Sequence, residues 1–94
     1  MKRTILALVA ALGLSGVATA GTTYVPKVSE QGARAIALQV VPGTVIEHDL
    51  GLEDGRWVHS FEIHPAGENK PNVIREVNVD ADTGVVMSVE TESR

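Results

Sequence analysis

The stretch VNVDADTGVVMSVE, residues 77–90, decides how this chain is read. Asp80, Asp82 and Gly84 alternate as they do at the start of a calcium loop, yet apolar residues alternate on both sides of them. A calcium loop needs six to eight oxygens and closes on a bidentate glutamate at its twelfth position, which counted from Asp80 is Thr91. A turn explains more. If Asp82-Thr83-Gly84 is a three-residue loop with Gly84 left-handed, Ala81 pairs with Val85, Val79 faces Met87 and Val77 faces Val89. Asn78, Asp80, Ser88 and Glu90 then share the opposite face. Asp80, Asp82, Thr83 and Gly84 are therefore read as a structural turn inside a hairpin.

Upstream, TVIEHDLGLEDGRWVHSFEIHP, residues 44–65, has the same period of two and turns at Asp54-Gly55. Pairing Glu53 with Arg56 sets Leu52 against Trp57, Leu50 against His59, His48 against Phe61 and Ile46 against Ile63, so the large apolar groups share one face. Further back the period becomes 3.6. Ala33, Ile36, Ala37, Val40 and Val41 form one stripe, Ser29 is placed as an N-cap, and Pro42-Gly43 ends the helix, which spans about Glu30 to Val40. The expected fold is α+β: an N-terminal helix packed on one face of a four-stranded antiparallel sheet built from two hairpins, with the other face open. The loop containing Pro71 leaves the order of the hairpins open.

The N-terminus reads as a secretory signal peptide over residues 1–20: Lys2 and Arg3, a short apolar run, then Ala18-Thr19-Ala20 as the cleavage site. The apolar run is too short to span a bilayer, so no stable membrane insertion is expected after cleavage. Residues 21–28 read as a flexible tail and residues 29–92 as one small domain. Cleavage removes two of the eight basic residues and none of the twelve acids, taking the net charge from −4 to −6. Such a domain is poorly suited to nucleic acid or anionic lipid. It has no cysteine, so its core alone must hold it.

SEQGARAIALQVVPGTVIEHDL, WVHSFEI and EVNVDADTGVVMSVE, in this order and spacing, resemble the PepSY domain, the module found in propeptides of thermolysin-type metallopeptidases and in a spore-germination protein. The resemblance covers nearly the whole mature chain. It implies the same helix-on-sheet fold and a role in holding a peptidase inactive, assisting its folding or regulating it in the cell envelope. His59 stands where many members carry a tyrosine. Nothing resembles the His-Glu-x-x-His zinc helix, so inhibition would act between chains.

The residues themselves offer little chemistry. His48 and His59 sit diagonally on the inner face and are weak metal candidates, with no cysteine or third ligand beside them. His59 and Ser60 point to opposite faces and cannot act as base and nucleophile. Ser60, Glu62, His64, Glu76, Asn78 and Asp80 form a polar outer face, the candidate partner surface. Together these readings point to an exported, non-catalytic module, periplasmic or secreted, that needs no cofactor and modulates a secreted or periplasmic metallopeptidase. The alternatives are an envelope sensor or carrier for a metal ion or small ligand, and a purely structural envelope protein.

Overall fold

The computed structural model describes residues 24–94; residues 1–20, read above as a signal peptide, lie outside the described residues. Helix α1 runs Glu30–Val40, as the periodicity predicts, and strands β1 (Gly43–Glu53), β2 (Arg56–Pro65), β3 (Val73–Asp80) and β4 (Val86–Ser93) follow. Ser29 caps the helix by accepting from the Gly32 N–H at 3.0 Å, and Glu30 places its charge in the first turn. At the other end the Val41 N–H donates to Ala37 O, after which Pro42 cannot continue the helix. Among the described residues no helix is long and apolar enough to cross a membrane.

The strands form one antiparallel meander in the order β1-β2-β3-β4, which settles the question the Pro71 loop left open. Central strands β2 and β3 carry the core, with Phe61, Ile63, Val77 and Val79 packed beneath Ala33, Ala37 and Val41 of the helix end. Alanines at 33 and 37 let the helix approach the sheet closely. Burying the Phe61 ring contributes about 2–3 kcal/mol, which makes it a main anchor of a small core. Val40, expected on the buried stripe, is exposed, since the buried line runs through Ala33, Ala37 and Val41 and Val40 lies beside it.

The first hairpin pairs Leu52 with Trp57, Leu50 with His59 and His48 with Phe61 as expected. Two expected pairs fail, for one reason. Ile46 does not face Ile63: a bulge between Val45 and Glu47 gives that place to Val45. Likewise Val79 pairs with Val86 rather than Met87 because a bulge intervenes before Asn78 meets Ser88. Each edge strand thus carries one extra residue, and both Ile46 and Met87 are turned out to solvent, 47 % and 42 % exposed.

The turn at the end of β3 is also one residue longer than expected. Asp80 N–H donates to Val85 O and Gly84 N–H to Asp80 O, so Asp80, not Ala81, closes the loop opposite Val85. Gly84 has φ 81° and takes the left-handed conformation that the turn requires. Asp80 Oδ1 accepts from the N–H groups of Asp82 and Thr83, so the carboxylate is spent in shaping the turn.

Residues 24–28, expected to be a free tail, are held against the sheet. The Val28 N–H donates to Ala81 O, Tyr24 stacks on Trp57 with ring centroids 4.5 Å apart, and the Tyr24 hydroxyl donates to Asp82 Oδ1. Lack of periodicity hid this segment, because its contacts are individual side chains and not a repeated face.

Candidate functional site

Two groups of polar residues stand out, one on each face of the sheet. On the inner face, His48 of β1 and His59 of β2 are brought together by the hairpin register, with Nε2 of His48 2.9 Å from Nδ1 of His59. The other nitrogen of His59, Nε2, lies 2.7 Å from the carbonyl oxygen of Val28. A carbonyl only accepts, so His59 carries its proton on Nε2 and Nδ1 is left to accept from His48 Nε2–H. This assignment leaves one open lone pair, on His48 Nδ1, which faces Glu30 Oε1 at 3.7 Å. Glu30 is in turn bonded to Arg34 one turn along α1, at 2.9 Å.

His59 is buried and His48 half-buried. Partial burial lowers the basicity of His48, partly opposed by the attraction of Glu30. Glu30 itself is held below the usual carboxylate value, first by the hydrogen bond from Arg34 and then by His48. Because both nitrogens of His59 are engaged within the protein, it has no lone pair to offer an ion. As a two-histidine metal centre the pair is incomplete.

On the outer face the register builds a row that the sequence did not reveal. Glu47, Glu62, Glu76 and Glu90 stand opposite one another in successive strands across all four strands. Carboxylates of Glu62, Glu76 and Glu92 gather within 4.8 Å of one another, and Arg94 from the chain end contacts Glu62 and approaches Glu47 at 3.9 Å. Like charges directly opposite are unfavourable in a sheet, and Arg94 offsets part of that cost. Beside this row Ser60 donates to Asn78 at 2.6 Å and Asn78 donates to Ser88 at 2.9 Å; beyond them Arg56 pairs with Asp80 at 2.9 Å.

The outer face is therefore not open in the way the alternation implied. Ser60, Glu62, Glu76, Asn78 and Asp80 are only 3–7 % exposed, and His64 is half-buried with Nε2 3.2 Å from Lys70 O. Of the residues placed there, Glu90 remains exposed. Alternation locates these side chains on a face but says nothing about how far cross-strand neighbours cover them. Glu30, Val28, Glu47, Glu92 and Arg94 were missed as members of the two groups. Only the helix start at Glu30 had a local signal; the others needed the strand order.

The large exposed apolar side chains lie elsewhere, chiefly at the sheet edges. Val85, 60 % exposed, sits just before β4 and Met87 is its bulged residue; Ile46 and Leu52 lie on β1. Outward backbone groups of an edge strand are open to pairing with another chain.

Comparison with known proteins gives one match: the family model for PepSY, described as "Peptidase propeptide and YPEB domain", matches residues 27–90. No curated protein and no solved structure matches the chain.

Proposed function

The chain belongs to the PepSY family, and on that premise we propose that it is an exported, non-catalytic module that inhibits or modulates a secreted or periplasmic peptidase supplied by another chain. PepSY domains often serve as peptidase propeptides or inhibitor-like modules and associate with peptidases. The family match over residues 27–90 is the observation that carries this reading. Support for a trans mode comes from the sheet edges. Val85 and Met87 place two exposed apolar side chains at the start of β4, an edge strand of the sheet, and an edge strand is what an added strand from a partner pairs with.

In this reading the outer-face residues Ser60, Glu62, Glu76, Asn78 and Asp80 shape the sheet more than they touch the partner, since all are buried; Ser60 bonds Asn78, Arg94 contacts Glu62 and Arg56 pairs with Asp80. The glutamate row contributes at longer range, steering a partner with a basic surface toward the edge. Of its two exposed ends, Glu47 lies on β1 and Glu90 on β4 itself.

The test is titration of the domain into a thermolysin-type metallopeptidase while hydrolysis of a short peptide is followed. A saturable change in rate is expected. Met87→Glu should weaken the apparent affinity about tenfold, a loss of about 1.4 kcal/mol, while Ile46→Glu on the far edge leaves it unchanged. Glu90→Lys should slow association at low salt and have little effect at high salt. A rate that stays constant at every ratio of domain to peptidase removes the proposal. Equal losses from Met87→Glu and Ile46→Glu remove the assignment to β4.

A further inference from the structure

The inner-face polar group has a feature that neither a packed core nor a peptidase-docking edge requires. Four groups stand in line: the Glu30 carboxylate, the His48 ring, the His59 ring and the Val28 carbonyl. Both ends are acceptors. Between them are two imidazoles, which in the neutral state bring only two N–H groups to the three gaps in the line. The unfilled gap is the one between His48 Nδ1 and Glu30 Oε1, where a lone pair faces a carboxylate at 3.7 Å.

One added proton completes the line. With three ring protons on the two imidazoles, His48 Nδ1–H forms an ion pair with Glu30, one proton lies between the rings, and His59 Nε2–H donates to Val28 O. That middle proton is satisfied on either ring, because moving it changes no other bond. A second added proton has no place. It puts N–H against N–H across a 2.9 Å gap, and the two rings must part.

We propose that Glu30, His48, His59 and the Val28 carbonyl form a one-proton site that latches the N-terminal strap, residues 24–29, to the sheet, and that a second proton opens the latch. The carboxylates around the pair favour its added proton, whereas burial and the Arg34 charge oppose it. From α1 it meets Glu30, and Arg34, whose guanidinium carbon lies 5.8 Å from the centre of the Phe61 ring. On β1, Asp49 is the neighbouring charge, and its field adds to that of Glu30 in favour of the proton. The partner of His59 on β3 is the uncharged Val79. Opening the pair frees His59 from His48, and His59 is the contact that holds Val28 from its carbonyl side.

The strap also reaches Trp57 through the Tyr24 stack, and Trp57 is the only tryptophan in the chain, so strap release has its own optical signal. The experiment is a pH titration of the full domain, read by ring nitrogen resonances and by Trp57 fluorescence. Wild type should bind one proton at the pair while fluorescence stays constant, with His59 Nε2 protonated throughout. Fluorescence should change only in a second, more acidic step. Glu30→Gln should move the first step to lower pH, because the stabilising carboxylate is gone. His48→Gln should remove that step, with the thermal melt showing that the domain remains folded. An unmoved midpoint in Glu30→Gln, or His59 ring nitrogen resonances that are the same with and without His48, would overturn the proposal. A single acid step in which fluorescence and ring signals change together would also overturn it.

Discussion

The strap is fastened at two places that differ in how they are charged. On the β1–β2 side it is held by His59, within a pair of imidazoles that faces a carboxylate. On the β3–β4 side Tyr24 bonds Asp82 and the Val28 N–H bonds Ala81 O, around a turn whose organiser is Asp80. Asp80 is held below the ordinary carboxylate value, first by the N–H groups of Asp82 and Thr83 and further by Arg56, and so keeps its charge well into acid. His48 is lowered by burial, with the attraction of Glu30 opposing part of that. The first fastening holds a group that gains charge as pH falls, whereas the second is organised by a carboxylate that keeps its charge.

The largest blow to this contrast is His59→Ala. It removes a buried ring and leaves Val28 O and His48 without their partner, so a loss of about 3 kcal/mol is expected in urea unfolding. Next is Gly84→Ala, which strikes only the turn. A side chain at φ 81°, with a Cβ 3.3 Å from Ile36 Cδ1, should cost about 1–2 kcal/mol and leave the His48 titration where it was. A shift of that titration would mean the two fastenings are coupled.

Smaller still is the pH dependence of stability. The folded-state value of His48 lies below the 6.5 of an unfolded histidine, so the unfolded chain binds the extra proton more readily. Stability should be complete above pH 6.5, fall as pH drops from there toward the folded value, and lose this dependence in His48→Gln. The Asp80 contribution has the opposite origin and a lower window: it is present above the unfolded value of 3.8 and is lost only as pH falls below that.

Tyr24→Phe should have the smallest effect, about 0.5–1 kcal/mol for one exposed hydrogen bond. Burial and the bond to Asp82 push the Tyr24 hydroxyl from 10.0 up to about 12. Wild type should therefore lose that contribution as pH rises from 10 through 12, and the phenylalanine variant should not.

The helix limits, the Ser29 cap and four of the five expected pairs of the first hairpin follow from the sequence because each rests on a local period or a neighbouring residue. What failed was non-local. Ile46 and Met87 fit the alternation, and nothing nearby announces that a bulge will turn each of them outward. Tyr24 carried no periodic signal, since its partners are Trp57 and Asp82, far along the chain. The histidine pair was legible as a diagonal contact, whereas its ends at Glu30 and Val28 depend on where α1 and the strap lie over the sheet. The glutamate row required the order of all four strands.

Site-resolved amide protection across pH 7.5 to 4.5, corrected for intrinsic exchange, tests the contrast most directly. The Val28 amide reports the strap, and the Asp82 and Thr83 amides report the Asp80 turn. The account predicts that Val28 keeps its protection through the first protonation of the histidine pair and loses it only in the second, more acidic step, while Asp82 and Thr83 keep theirs throughout, and that His48→Gln flattens the Val28 curve. Parallel loss at all three amides, or a Val28 curve unaltered by His48→Gln, would contradict it.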